Sequence, residues 1–217
     1  MTIKNKSILI DTSTDLRQQA LKYKIKKVDA VLYTHPHADH IHGIDELRSY
    51  NFTQKASIPV YGNEWTCREL LAKFNYIFRP KPVEGGGIPL LDLIKIDPAK
   101  DEIRVQGVPI VPIPICHGSK EALGYRFNRV AYVTDCSYIP PSSIDRLKGL
   151  SVLILDCLRE TKHRTHFNLD QALAVVDQLR PKKTFFTHLA HSVEYREWTR
   201  KLPSGVSLAY DGLKIRA

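Results

Sequence analysis

Seven residues, Thr34-His35-Pro36-His37-Ala38-Asp39-His40, constrain this chain more than any other segment. They follow the apolar stretch Val28-Asp29-Ala30-Val31-Leu32-Tyr33, which reads as a buried strand. Four potential metal ligands thus gather at one strand end, although the chain of 217 residues holds only nine His. Side chains two apart on extended backbone share a face, so His35 and His37 can hold one ion. Asp39 and His40, on the turn into the next helix, can reach a second ion beside it. Imidazole with carboxylate suits zinc, manganese or iron and does not suit calcium. The pattern reads as a two-metal hydrolytic centre. A His-rich surface loop that binds nothing is the plain alternative, and the buried strand in front of the cluster argues against it.

The segment resembles the signature of the metallo-β-lactamase fold superfamily of metal-dependent hydrolases. That resemblance implies an αββα four-layer sandwich with its ligands at one edge, whereas periodicity alone supports only a mixed α/β class. It also implies further site residues at distant strand ends. Ser7 to Thr12 closes an early strand with Asp11, which the family uses to orient the site and not to bind metal. Val108 to Gly118 supplies His117, and Pro109, Pro112 and Pro114 within it favour an extended edge strand. Val130-Ala131-Tyr132-Val133-Thr134-Asp135 supplies Asp135. Lys183 to His191 supplies two late His, of which His188 closes the strand.

The implied ligand set is therefore His35, His37, His117 and Asp135 for one ion, and Asp39, His40, Asp135 and His188 for the other. Asp135 bridges the two ions, and its charge with that of Asp39 partly neutralises two dications. Zinc and manganese are both compatible with these donors.

Arg164-Thr165-His166-Phe167-Asn168-Leu169-Asp170 places a His just before a helix with an Asn start signal. This looks like the loop of the phosphodiesterase branch that carries a phosphate-contacting His. The branch includes phosphoribosyl 1,2-cyclic phosphate phosphodiesterase and, more distantly, the tRNA 3′-end endonuclease. By that resemblance a metal-bridging hydroxide attacks phosphorus, Asp39 orients it, and His166 serves the departing oxygen. An exposed helix-entry His is the plain alternative for His166. The β-lactamase and glyoxalase II branches fit less well. The His117 loop lacks the Gly-His-Thr-x-Gly arrangement, and Asp135 stands where many zinc β-lactamases carry Cys. The branch normally opens with a Gly-Thr-Gly turn and a Cys-x-Cys-x-x-Cys cluster for a structural zinc. This chain starts after both, so it reads as lacking the N-terminal strands, with no structural zinc and with His191 left over.

Composition narrows the partners. A net charge of +9 and a pI near 9.4 suggest an anionic substrate, for which the resemblance implies a small-molecule phosphodiester, although diffuse solubility charge explains the same numbers. No basic stripe interleaved with aromatics marks an RNA surface, so a nucleic acid substrate is the less favoured alternative. An inactive metal-binding protein is a third. Four scattered Cys, no secretory leader pattern and no apolar run of membrane-spanning length fit a cytoplasmic protein. The sequence leaves monomer and homodimer both open.

A single domain over residues 1–217 is expected. Helices are expected over Leu16 to Lys24, Ile41 to Tyr50, Asn63 to Phe74, Leu169 to Leu179 and Val193 to Lys201. Strands are expected at Ile58 to Tyr61, Leu91 to Ile96, Glu102 to Val105, Val108 to Ile115, Tyr125 to Phe127, Val130 to Thr134, Val152 to Leu155, Thr184 to Thr187 and Ser207 to Tyr210. Arg79 to Pro89, with Gly85-Gly86-Gly87, reads as a loop bordering a site or as a plain connector.

Overall fold

A computed structural model of the chain describes residues 1–78, 87–99 and 102–216. Most of the expected Arg79 to Pro89 loop, residues 79–86, lies outside the described residues. Two compact units emerge, one of Met1–Ala99 with Arg104–Val108 and one of Lys100–Ile103 with Pro109–Ala217. The mixed α/β class expected from the sequence is what the chain adopts, with two sheets and flanking helices.

The first unit is built on a sheet ordered β1-β2-β3-β4-β5. Its strands are β1 Thr2–Ile3, β2 Lys6–Ile10, β3 Ala30–Leu32, β4 Ile58–Gly62 and β5 Leu91–Lys95. The β1–β2 pair is antiparallel, and β2 through β5 are parallel. Every residue of β3 is buried, as its unbroken apolar run requires of a central parallel strand. The helices are α1 Leu16–Lys22, α2 Ala38–Ile41, α3 Leu47–Gln54, α4 Glu64–Lys73 and α5 Asn75–Phe78. The expected helix of Ile41 to Tyr50 is thus divided. Asp39 and His40 lie inside the four-residue α2, and a 3₁₀ turn at Ile44–Glu46 leads into α3. Asn63 caps α4 by accepting the Thr66 N–H at 2.9 Å. Leu47, Ile58, Val60 and Leu70 pack into the core of this unit.

The second sheet is ordered β12-β11-β10-β9-β8-β7-β6. Its strands are β6 Ile103–Val105, β7 Val108–His117, β8 Lys120–Phe127, β9 Val130–Val133, β10 Val152–Asp156, β11 Lys183–Thr187 and β12 Val206–Leu208. β7, β8 and β9 form an antiparallel meander, and β9 through β12 are parallel. The helices are α6 Pro141–Arg146, α7 Leu169–Leu179 and α8 Tyr195–Lys201. Leu153, Leu155, Ala172 and Phe186 lie in its core.

Further details depart from the sequence expectation. The proline-rich β7 is next to last and not the edge itself, and its outer neighbour β6 has only three residues. Prolines that cannot donate are tolerated there because so little strand lies outside them. β8 begins at Lys120, five residues before the expected start, because β7 and β8 close a tight hairpin that pairs His117 with Lys120. The polar start of β8 carried no strand pattern of its own. Helix α6 was not expected, although Pro141 occupies its first turn, where a missing N–H costs nothing.

Candidate functional site

In the first unit the parallel register sets Ile10 beside Leu32, so the chain leaves β2 and β3 at the same sheet end. Asp11 therefore meets the His segment directly. It adopts φ +60, a left-handed conformation that Asp tolerates better than most residues. Its Oδ1 accepts the Thr34 N–H at 2.7 Å, and its Oδ2 accepts the Thr34 hydroxyl at 2.8 Å. The same Oδ2 lies 2.7 Å from His40 Nδ1. An ionised carboxylate only accepts, so His40 carries its proton on Nδ1 and the lone pair on Nε2. The Thr34 hydroxyl, having donated to Asp11, accepts from His35 Nδ1 at 3.1 Å. His35 is thereby held in the same tautomer.

Asp11 thus touches His40 directly and His35 through Thr34. Burial pushes the Asp11 carboxyl above its ordinary range, while His40 and Thr34 pull it back. His35 and His37 meet edge to face with centroids 4.5 Å apart, and His35 and His40 lie 4.2 Å apart. Asp39 Oδ2 is 3.3 Å from His40 Nε2. His35 and His40 are buried, whereas His37 and Asp39 are exposed. Trp65, which the sequence did not single out, stands 6.3 Å from the His35 ring and 5.9 Å from the His37 ring.

In the second unit three adjacent parallel strands deliver their ends together. Leu155 pairs with Val133, and Asp156 pairs with Thr187. Asp135, Asp156 and His188 consequently emerge side by side, at the carboxyl ends where open α/β sheets place their ligands. Asp135 and His188 both have positive φ, +54 and +60, like Asp11 in the first unit. Such conformations persist where surrounding contacts hold them, and they gather at functional sites. Asp135 is buried, takes the Thr134 hydroxyl on Oδ2 at 2.7 Å, and lies 3.3 Å from His188 Nε2 through Oδ1.

The residue the sequence analysis missed is Asp156. It is wholly buried and closes the run Val152-Leu153-Ile154-Leu155-Asp156. That is the same apolar-strand-then-Asp pattern that pointed to Asp11 and Asp135. Its Oδ1 accepts the Asp135 N–H at 3.2 Å and lies 3.2 Å from His166 Nδ1. Its Oδ2 accepts the Phe167 N–H at 2.9 Å. His166 therefore also keeps its proton on Nδ1. It is buried, not the exposed helix-entry residue of the plain alternative. His117 Nδ1 donates to the Thr165 carbonyl at 3.0 Å. The His166 ring lies 4.9 Å from that of His117 and stacks on His188 at 4.8 Å.

Below His166 the backbone enters α7 through a reciprocal cap. Asn168 Oδ1 accepts the Gln171 N–H at 3.2 Å, and Gln171 Oε1 accepts the Asn168 N–H at 3.1 Å. One donor atom each from His117, Asp135 and His166 lie within 4.8 Å of one another, as do donors of Asp156, His166 and His188. His191 is exposed after β11.

The donors fit a divalent ion that takes nitrogen and oxygen. In His35, His40, His117 and His166, hydrogen bonds at Nδ1 leave the lone pair on Nε2, the usual way a protein prepares imidazole for a metal or for proton transfer. Cys136 does not join them as a thiolate. It is buried, its Sγ donates to the Tyr138 carbonyl at 3.4 Å, and burial raises its thiol well above the ordinary range. No described helix is long and apolar enough to cross a membrane.

The family model described as beta-lactamase superfamily domain matches residues 6–189. Among solved structures, a diphosphatase from the PhnP family is 41% identical with a TM-score of 0.90, over 99% of this chain and 80% of that one. An octanoyltransferase of Porphyromonas gingivalis is 34% identical over 99% of this chain and 43% of its own length. Exodeoxyribonuclease YycJ of Bacillus anthracis is 27% identical over 67% of this chain and 50% of its own length. The chain thus spans about half the length of the curated relatives it matches.

Proposed function

Because the chain belongs to the beta-lactamase superfamily domain family and to the PhnP family, we propose that it hydrolyses a small phosphodiester, cyclic ones included, with two divalent ions. It is a metallo-β-lactamase fold hydrolase. In this proposal His35, His37, His117 and Asp135 would hold one zinc or manganese ion. Asp39, His40, Asp135 and His188 would hold the other. Bound ions would acidify a water molecule and take up developing negative charge. The remaining work falls to the chain's own groups. Asp11 keeps His40 and, through Thr34, His35 in the tautomer that presents Nε2. Asp39, exposed at the first turn of α2, orients the attacking water. His166 hydrogen-bonds to the departing oxygen or passes it a proton.

The buried Asp156–His166 pair is the observation that carries this reading. A ring anchored through Nδ1 by a carboxylate, among the rings of His117, His163 and His188, supports a role for His166 toward substrate. The test is elemental analysis of purified protein beside hydrolysis of bis(p-nitrophenyl) phosphate with added Zn²⁺ or Mn²⁺. About two ions per chain with turnover is the expected result for a two-metal site. Metal without turnover on any phosphodiester supports an inactive binding protein instead, and folded protein without metal overturns the reading.

A substituted diphosphate is the second reading, favoured by 41% identity to a diphosphatase. Its attacked phosphorus also carries two bridging oxygens, so the same groups would serve. A nuclease reading, including tRNA 3′ processing, has the thinner support of a 27% identical exodeoxyribonuclease twice as long as its match. Octanoyl transfer is the name of a protein of which this chain covers 43%, and no residue described above calls for it.

A further inference from the structure

The backbone that carries His35 and His37 is tied down on both sides of the pair. Before it, Tyr33 N–H donates to Tyr61 O at 2.8 Å, and Asp11 takes the Thr34 N–H. After it, the His37 carbonyl accepts from the N–H groups of His40 and Ile41 at 3.1 Å each. Between the two lies buried Pro36, which has no N–H to give. Its carbonyl, which burial obliges to find a donor, accepts from Lys73 Nζ at 2.9 Å. Lys73 comes from α4, and so does Trp65, whose ring stands beside both imidazoles. We propose that α4 braces the His35–His37 pair, with Lys73 and Trp65 as positioning residues that set the two imidazoles for one ion. This rests on the two-metal hydrolase reading above and adds the groups that keep one of its sites in shape.

A brace works only if it is itself fixed, and α4 is fixed at its start. The register that sets Val31 beside Val60 and Leu32 beside Tyr61 brings the end of β4 next to the His segment. The helix begins there at once. A Cβ on Gly62 would meet Thr66 Cγ2 at 2.9 Å, so glycine is what lets the first turn lie this close to the strand end. Asn63 and Thr66 are buried, and Leu70 one turn on is wholly inside the core of the unit. From this anchored helix Trp65 and Lys73 project about 12 Å apart along the axis. Trp65 meets the rings, and Lys73 meets the backbone between them. Glu69 Oε2 lies 3.7 Å from Lys73 Nζ, a weaker contact than the charge-assisted bond to the Pro36 carbonyl.

Two imidazoles share an ion only if their lone pairs converge on one point. Asp11 and Thr34 orient the buried His35 from behind. His37 is exposed, and the half-buried Trp65 ring meets it at 88° with centroids 5.9 Å apart. That is the edge-to-face approach aromatic rings prefer, and it favours one orientation of the imidazole. The held Pro36 carbonyl in turn keeps the peptide between the two ligands from rotating. Groups that orient metal ligands in this way typically contribute about 10–100-fold to affinity.

The experiment titrates Zn²⁺ into the purified protein against a chromogenic chelator. Lys73→Met and Trp65→Leu are each expected to weaken one of the two ions by about 10–100-fold and to leave the other near its wild-type affinity. Lys73→Arg, which keeps a charged donor, and Trp65→Phe, which keeps a ring, are expected to restore most of the loss. Wild-type affinity in Lys73→Met and Trp65→Leu overturns the brace. An equal loss in Lys73→Arg and Trp65→Phe means general damage to the fold and overturns it as well. A rise in KM on bis(p-nitrophenyl) phosphate with metal affinity intact makes Trp65 a substrate contact and overturns its positioning role. A second readout needs neither metal nor turnover. In NMR spectra of the metal-free protein the His37 ring protons are expected to carry a ring-current shift from Trp65, lost in Trp65→Leu and reduced in Lys73→Met. If the wild-type protein takes up no metal, the hydrolase reading fails, and the NMR readout still decides the brace: unchanged His37 shifts in both variants overturn it.

Discussion

In the first unit, His35, His37, Asp39 and His40 come from one short run of residues after one strand. In the second, His117, Asp135, His166 and His188 come from four separate segments. Both units nevertheless anchor their imidazoles in one way. A carboxylate at a strand end, Asp11 after β2 or Asp156 closing β10, accepts a backbone N–H and faces a histidine Nδ1. The local set can be read from a short segment because chain connectivity alone keeps it together. The distributed set depends on three parallel strands ending in register for Asp135 and His188, with His117 from the end of antiparallel β7 and His166 from the loop before α7. Disturbing the second should therefore depend on packing and register, and disturbing the first on the identity of single residues.

The largest expected effect tests the distributed set at its centre. Asp135→Ala should abolish turnover and lower metal content, measured by phosphodiester hydrolysis and elemental analysis. Full activity in that variant with one metal per chain would sink the two-ion proposal. His37→Ala is the matching change in the local set, with the same expected loss.

Next comes His166→Ala, which should lower kcat by about 10²–10⁴-fold, as for a lost general acid. Metal content should stay near that of the wild type. A variant that loses metal to the same degree as Asp135→Ala would make His166 a ligand instead.

The two anchoring carboxylates sharpen the comparison at a smaller scale. Asp11→Asn and Asp156→Asn should each cost about 10–100-fold, the usual effect of a group that orients a site from behind. The loss should divide differently. Asp11→Asn should weaken metal affinity, titrated with a chromogenic chelator, because His40 and His35 lose their fixed tautomer. Asp156→Asn should act mainly on kcat, because His166 loses its anchor. Identical profiles for the two would mean that they play one role.

The smallest effect is on stability. Asn168→Ala removes half of the reciprocal cap of α7 and should cost about 1 kcal/mol in urea unfolding. Because the cap lies two residues beyond His166, activity on bis(p-nitrophenyl) phosphate should fall only slightly if the loop is held chiefly by Asp156. A loss as large as that of Asp156→Asn would assign the positioning of His166 to the helix start.

Much of this was legible in the residues. The expected α7 agrees with the observed Leu169–Leu179, because an Asn cap and apolar spacing at helical intervals both mark it. Asp11, Asp135 and His188 stood out as polar residues closing apolar runs. Asp156 closes one as well and was passed over, since its partners are two backbone N–H groups and a ring that no spacing pattern links to it. The start of β8 and the whole of α6 were not legible either. Lys120 and Glu121 join a strand because the hairpin with β7 pairs them. Pro141–Arg146 packs only Ser143 and Ile144 inward, too few residues for a period to show.

The sequence by itself determined the chemistry available: a His-x-His-x-Asp-His segment behind a buried strand, and carboxylates that end apolar strands. Those properties are local and survive in any listing of neighbours along the chain. Tertiary structure alone decided which nitrogen of His35, His40, His117 and His166 carries the proton, and that Asp156 anchors His166. A hydrogen bond to Nδ1 depends on which strand ends lie side by side, and that is set by sheet register and not by order in the chain.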